Sequence, residues 1–450
     1  MLITVYMPAF NYGDFIEEAI ESVINQSIDS WELIVINDGS TDHTRSLLEK
    51  YSSNSQITIV HQENQGLNVS NNIGLRLARG KYIMRLDADD YLDENALQIL
   101  SNALEKNKTA DLAFPDYYEV NKDGEILNLT RREKINEKSV MDMPAHGACT
   151  MYRTNVLKSL GGYLEDFQCQ DGYELWIRFI KDHNPINLNI PLFYYRQHGK
   201  SLTKNKNKIL TTRREIKKKF FDVNKLGNHL KVVAIVFAAR NTNYKKNDAL
   251  IKLANKPMID YTLEATLECS EISEIVVSTP DQDIVDHIKN NFNSIKTHIR
   301  DASDFDKDRE YFAEHILNNE ELDNQNPDLV MLLNVNSPLK KSEHLKWAIH
   351  TLKIFDVDKV ISVDEELKTI YQHTDNGLEA LNNVSNNIKL ERDALFTENG
   401  AITLVKRSKL INVTQQDTIS HIAMLPEESV RINSDYEFWL AERILHDLNK

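Results

Sequence analysis

Apolar and polar positions along the chain fall into a repeating order. An apolar run at 3–7 ends in a turn at Asn11-Tyr12-Gly13, and apolar residues then recur at helical spacing over 15–24. A second apolar run, 32–36, ends at Asn37-Asp38-Gly39-Ser40, and Asp42 stands where an N-cap would, ahead of a helix over 44–51. A third run, 57–60, leads to Gly66 and another helix; a fourth, 82–86, ends at Asp87. This strand-helix alternation predicts a mostly parallel sheet with helices on both faces. Ligands of such sheets sit beyond the carboxyl ends of the strands, and Asp38 and Asp87 both fall there.

The order restarts at Lys231. Val232-Val233-Ala234-Ile235-Val236-Phe237 reads as a buried strand, after which the alternation resumes. The fold class is therefore α/β, as two Rossmann-like domains over 1–222 and 231–450 with a linker at 223–230. The halves share an architecture but no clear repeat. Between them, Arg213-Arg214-Glu215-Ile216-Lys217-Lys218-Lys219-Phe220-Phe221 reads as a joining helix. Its basic face is either simply solvated or meets anionic lipid, with Phe220-Phe221 as an apolar wedge. Asn-rich stretches at 318–326 and 382–387 read as surface loops.

Length changes this picture little, since 450 residues leave room for two or three domains with sizeable cores. Charge changes it more. A net charge of −15 speaks against general nucleic-acid binding, because neutralising phosphates needs clustered Lys and Arg. Cys149, Cys169 and Cys269 are odd in number and form no CxxC pair. Neither a disulfide framework nor a structural zinc site is expected, and a reducing cytoplasm is the simplest setting. No apolar run reaches the about 18 residues that suggest a membrane-spanning helix. The opening residues lack a basic stretch and reach Pro8 too soon for a signal peptide.

Asp87-Ala88-Asp89-Asp90 gives the first chemical suggestion. Carboxylates at i and i+2 beyond a strand can together reach one hard cation, Mg2+ or Mn2+, and a ribose or phosphate oxygen. Alone, the cluster reads more simply as a solvated acidic turn capping the helix at Glu94. Its surroundings reverse that weighting. Met7-Pro8-Ala9-Phe10-Asn11-Tyr12, Glu32-Leu33-Ile34-Val35-Ile36-Asn37-Asp38-Gly39-Ser40, Asn64-Gln65-Gly66-Leu67-Asn68 and Ala78-Arg79-Gly80-Lys81-Tyr82 precede it in order. Together they resemble the family 2 glycosyltransferases over almost the whole first half.

The resemblance implies a GT-A fold, a nucleotide-diphosphate sugar donor and an inverting transfer without a covalent enzyme intermediate. It implies that Asp38 accepts a hydrogen bond from the base or ribose, and that Pro8 and Asn11 shape the nucleotide pocket. Asp87 and Asp89 would hold ribose, metal and diphosphate. Asp38 also reads as a turn residue. Gly147-Ala148-Cys149-Thr150 and Leu160-Gly161-Gly162-Tyr163 look like the acceptor region, followed by Gln170-Asp171-Gly172-Tyr173-Glu174. Many members carry Glu-Asp there, with the Asp as general base; here Gln-Asp is followed by an extra Gly. Asp171 is the expected base and Glu174 its rival, and either must reach the acceptor proton directly or through one water. Tyr195-Arg196-Gln197-His198 resembles a closing Arg-x-His segment, which implies His198 as a metal ligand and Arg196 facing the pyrophosphate. A lone histidine is more often structural.

The second half resembles cytidylyltransferases that activate acidic nine-carbon sugars. Ala239-Arg240, Asn255-Lys256-Pro257-Met258, Asn334-Val335-Asn336-Ser337-Pro338-Leu339-Lys340 and Ser434-Asp435-Tyr436-Glu437 carry the likeness. The chemical positions depart from it. The phosphate-cradling loop, at 241–248, has no glycine, and the paired metal-binding aspartates fall on Arg431 and Asn433. A cation there repels Mg2+. A degenerate domain is expected: a scaffold, an acceptor-positioning module or a dimerisation unit. The alternative is an active nucleotidylyltransferase with a rearranged site, and Arg240 and Lys252 leave room for residual nucleotide binding.

The expected function is sugar transfer to a glycan or lipid-linked acceptor in surface polysaccharide or lipopolysaccharide assembly. A UDP-sugar is the default donor, a homodimer through the second domain is an option, and the setting is cytoplasmic or at the inner membrane face. The competing class is a non-catalytic nucleotide-sugar binding or assembly protein.

Overall fold

The computed structural model describes residues 2–131, 147–167, 170–198, 206–240, 248–301, 309–318, 326–366, 370–374, 377–380, 395–411 and 417–448. The Asn-rich loop at 382–387, most of that at 318–326, the 241–247 loop and Cys169 lie outside these residues. The chain divides into two compact units, Met1–Arg213 and Arg214–Lys450.

The first unit runs β1 Ile3–Ala9, α1 Ile16–Ile24, β2 Trp31–Asp38, α2 Thr44–Leu48, β3 Ile57–Gln62, α3 Leu67–Leu77, β4 Tyr82–Arg85 and β5 Tyr91–Leu92. It continues with α4 Ala96–Lys106, β6 Leu112–Val120, β7 Ile126–Thr130, β8 Met151–Arg153, α5 Thr154–Ser159, α6 Asp171–Ile180 and β9 Pro185–Arg196. Helix α7, Lys206–Val223, contains the division between the units.

Strands β3-β2-β1-β4 lie side by side and parallel. Beyond β4 the order continues β8-β6-β9-β5, with antiparallel pairings at β4·β8, β6·β8 and β5·β9. The parallel half matches the alternation in the sequence; the mixed half joins the long strands β6 and β9 to the short β5 and β8 and departs from it. Every residue of β1 and β2 is buried, as expected of parallel strands covered on both faces. Alternate side chains feed two cores. Ile3, Val5 and Met7 pack with Ile16, Ala19, Ile20 and Val23 of α1, while Tyr6 packs with Leu75, Phe114 and Trp176 on the other side. The carboxyl ends of β1, β2 and β4 thus share one edge.

The second unit carries β10 Val232–Phe237, the hairpin β11 Lys252–Leu253 and β12 Lys256–Pro257, α8 Met258–Leu267, β13 Glu274–Thr279, α9 Gln282–Asn291, β14 Lys296–Ile299 and α10 Arg309–Leu317. Then follow β15 Leu329–Asn334, α11 Ser342–Phe355, β16 Lys359–Glu366, β17 Tyr371–Thr374, β18 Gly377–Ala380, β19 Leu395–Lys406, β20 Ile419–Ala423 and α12 Asp435–Leu448. Its sheet order is β14-β13-β10-β15-β19-β16-β20, with the first four strands parallel.

The 223–230 stretch belongs to this unit. So does the later part of α7, where Ile216 and Phe221 are buried. The Phe221 ring stacks on His350 with centroids 4.2 Å apart, and Lys217 Nζ donates to Thr351 Oγ1 at 3.1 Å. Phe221 is thus a core residue and not the exposed wedge that a lipid contact requires. No helix among the described residues is long and apolar enough to cross a membrane.

Candidate active site

Arg85, the last residue of β4, organises the strand edge. It is 7% exposed. Its Nε lies 2.8 Å from Asp87 Oδ1, and its Nη1 pairs with Asp171 Oδ2. Burial alone would lower its pKa; the Asp171 and Asp87 charges outweigh that and raise it, so it is a fixed cation. A Cβ on Gly147 would overlap the guanidinium, so a glycine there keeps its space.

Asp171 opens α6, where the helix N-terminus favours a negative charge. The preceding Gln170 takes the left-handed conformation, φ 62°, to turn the chain into the helix. Asp171 Oδ2 also accepts from Asn71 Nδ2 at 3.2 Å. Its Oδ1 has no partner among the described residues. The rival, Glu174, differs sharply. Both of its oxygens accept from Arg178, each at 2.6 Å, and Arg178 in turn donates to the Leu160 and Gly162 carbonyls. Glu174 is occupied in tying α6 to the preceding loop.

The acidic cluster is crowded. Burial, with the Asp89 and Asp171 charges added, pushes Asp87 up to about 6 against the pull of Arg85. Burial, then Asp89 and Asp87, raises Asp90 well above the usual carboxylate range. Asp90 Oδ1 accepts from the Arg196 N–H at 2.9 Å, while its buried Oδ2 has no partner among the described residues. Asp89 Oδ2 lies 2.7 Å from His198 Nε2, and the His198 ring packs 5.2 Å from Phe15. The Asp89–His198 pair expected from the sequence is therefore in contact.

The remaining expected residues have definite positions. Asp38, at the end of β2, accepts from Gln62 Nε2 at 2.5 Å and from the Gln65 and Gly66 N–H groups at 2.8 and 2.9 Å. It braces the turn into α3. Asn11, at φ 62°, accepts from the Thr41 N–H at 2.8 Å and so holds the loop after β2. Pro8 pairs in register with Ile36, beyond the last β1·β4 pair, where its missing N–H costs no ladder bond.

Arg196 is 2% exposed and bonds inward: Nε to the Asp89 carbonyl at 2.9 Å, Nη1 to the Lys122 carbonyl at 2.8 Å, Nη2 to Glu18 at 2.5 Å. It ties three segments together, which corrects the expectation that it faces a pyrophosphate. Sequence reasoning missed Arg85 and Asn71. The signal for Arg85 was a charged residue inside the apolar run Tyr82-Ile83-Met84-Arg85-Leu86, which has to be paired when buried.

In the second unit Arg240 is held by Asp248 at 3.2 Å and by Asp283, so carboxylates already occupy it. Lys252 is exposed on the β11–β12 hairpin.

The strand-edge carboxylates lie where an open α/β sheet takes its ligand, and comparison with known proteins gives the class, a glycosyltransferase. Residues 4–161 match the glycosyl transferase family 2 model, and residues 245–444 match a cytidylyltransferase model. An uncharacterized glycosyltransferase of Haemophilus influenzae is 30% identical over 270 residues, 56% of this chain and 83% of that protein. The chain belongs to glycosyl transferase family 2, and its second unit is a cytidylyltransferase-family domain.

The chondroitin synthase of Pasteurella multocida is 28% identical over 201 residues, 44% of this chain. The chain spans only about a fifth (21%) of that relative's length. The Escherichia coli enzyme UDP-Glc:alpha-D-GlcNAc-diphosphoundecaprenol beta-1,3-glucosyltransferase WfgD is 27% identical over 211 residues, 46% of this chain and 82% of that protein. Among solved structures, Staphylococcus aureus TarS 1–349 with UDP-GlcNAc is similar at a TM-score of 0.42 and 18% identity, covering 50% of this chain and 69% of that one.

Proposed function

We propose that the first unit transfers a sugar from a nucleotide-diphosphate sugar to an acceptor hydroxyl with inversion. The observation that carries this reading is the Asp87–Arg85–Asp171 bridge, which sets a carboxylate with an unpartnered oxygen beside the acidic strand edge. Asp171 Oδ1 takes the acceptor proton. The acceptor oxygen then bonds to the anomeric carbon as the bond from that carbon to the diphosphate oxygen breaks. Asp38, Pro8, Asn11 and Asp87 line the nucleotide side.

The residues present fit a hard divalent cation, Mn2+ or Mg2+. Three carboxylates within four positions, Asp87, Asp89 and Asp90, crowd the edge, and the buried Asp90 Oδ2 has no partner among the described residues. Among the described residues no group of three or more metal-ligand side chains is gathered. Asp89 and His198 would therefore hold the ion, with donor phosphates and water completing its shell. Its chemistry there is neutralisation of the departing diphosphate.

A UDP-sugar donor and a lipid-linked glycan acceptor in surface polysaccharide assembly are supported by the names of the curated relatives. The second unit acts as a non-catalytic module, because Arg431 and Asn433 stand where its family resemblance expects metal-binding carboxylates. The test is turnover of UDP-, GDP- and CMP-sugars with Mn2+ and with EDTA, with the product anomer read by NMR. A retained anomer, or no turnover and no nucleotide binding with any donor, overturns the reading.

A further inference from the structure

Arg431 is unlike every other described arginine of the second unit. Arg214 donates to the Ala423 carbonyl and lies over the Trp347 ring; Arg300 donates to the Ser278 and Ala238 carbonyls; Arg407 pairs with Glu314 and Arg443 with Asp447. Arg240 is held by Asp248, and Arg309 is also engaged. Arg431 has neither a hydrogen bond nor a carboxylate within ion-pair distance among the described residues. Its Nε is buried without a partner. A buried guanidinium nitrogen left without a bond is costly in most proteins, so it needs an explanation.

Its surroundings are neutral and polar. A Cβ on Gly400 would stand 3.2 Å from Arg431 Nη1, and Gly400 has φ +69°, so this position keeps room for the guanidinium. Asn334, the last residue of β15, donates to the Gly400 carbonyl at 2.5 Å. Asn336 accepts at its carbonyl from the Ile432 N–H at 2.7 Å, and its side chain donates to Asn433 Oδ1 at 3.3 Å. Nearby Glu437 is engaged by the Asn433 N–H at 2.6 Å. The cluster sits at the carboxyl end of β15, which runs parallel to β10, the edge where open α/β sheets take their ligands.

We propose that Arg431, with Asn334, Asn336 and Asn433, forms an oxyanion-binding site that takes a phosphate or carboxylate group directly on the guanidinium, with no divalent cation. Guanidinium matches both oxyanions in charge and planar geometry, and the amides supply neutral donors beside it. The site goes beyond sugar transfer and does not depend on it.

The test is calorimetric titration of the full chain in EDTA with CMP, inorganic phosphate and glucuronate in parallel, and with uncharged cytidine as control. CMP is chosen because the unit matches a cytidylyltransferase family. Binding of CMP or phosphate identifies a phosphate ligand; binding of glucuronate alone identifies a carboxylate. Arg431→Ala should weaken that binding by at least about tenfold, the scale of one charge-assisted hydrogen bond, and Arg431→Lys should recover part of it. Circular dichroism and a calorimetric melting transition of the second unit that match wild type show that the variants fold. The proposal is overturned if no oxyanion binds in EDTA, if binding requires Mg2+, if cytidine binds as well as CMP, or if Arg431→Ala leaves affinity intact.

Discussion

Each unit places an arginine at the ligand edge of a parallel sheet, and the two arginines have opposite company. Arg85 is buried between Asp87 and Asp171, so its charge is balanced by protein. Arg431 stands among asparagines with no carboxylate partner among the described residues. The scaffolds are alike in class, with four parallel strands at the heart of each sheet. What differs is the sign of charge left over at the edge: acidic in the first unit, basic in the second. Architecture therefore says where a ligand goes, and local charge says which one.

The largest expected effect breaks the comparison at its acidic end. Asp171→Asn keeps the shape of the α6 start but removes the proton acceptor, and kcat should fall by about 10^2–10^4-fold. Glu174→Gln should lower thermal stability instead, with kcat nearly unchanged, because both Glu174 oxygens already serve Arg178. Steady-state rates and melting curves of the two variants separate the roles. The assignment is wrong if Glu174→Gln loses the activity and Asp171→Asn keeps it.

Next in size is Arg85→Ala. It leaves the buried Asp171 and the partly buried Asp87 without their shared cation and should cost about 3 kcal/mol, the low end for removing one member of a buried ion pair. Urea unfolding of the first unit reads it. Arg85→Lys restores charge but cannot span both acids, so it should recover only part of the loss; full recovery would mean that charge alone matters.

The parallel half of the first sheet was legible because β1 and β2 are mostly apolar runs and α1 repeats its apolar positions at helical spacing. Asp42 was read as the N-cap of α2; that position falls to His43, and Asp42, one residue earlier, accepts from the Thr44 N–H at 3.0 Å. Within the mixed half, β5 and β8 were not legible, since they have two and three residues, too short for a period to show. Asp89 beside His198 is 109 positions apart in sequence, and only the family likeness linked the two. Arg196 was misplaced because an Arg-x-His pattern names residue types without showing that carbonyls of Asp89 and Lys122 already take the guanidinium. Phe221 was misread for a related reason. A basic helix with two terminal phenylalanines looks amphipathic until the ring stacked on one of them, His350, is known.

That misreading yields the third prediction. Phe221→Ala should destabilise the second unit by about 3 kcal/mol, the low end for truncating a buried phenylalanine, and leave the first unit's unfolding midpoint in place. Vesicle binding should not change, since the ring is buried. If instead the variant unfolds like wild type and loses affinity for anionic vesicles, Phe221 belongs to a membrane surface.

The smallest effect concerns acid. In the second unit Glu271 is held down to about 2, first by its bond from His350, and Glu428 to about 2 because His344 and Lys341 outweigh the burial that would raise it. Both pKa values lie below the unfolded value, so each contributes stability that is present above about pH 4.5 and lost as pH falls towards 2. Allowing for solvent screening, each is worth about 1 kcal/mol. Glu105 of the first unit is also lowered to about 2, by Lys81 first, but it lies at the surface, where water and salt weaken such pairs. Denaturant midpoints measured from pH 5 to 2.5 should therefore drift downward in the second unit through these pairs. Glu271→Gln with Glu428→Gln should flatten that drift. If the double variant keeps the wild-type slope, these pairs are surface ornaments and the acid sensitivity of the unit lies elsewhere.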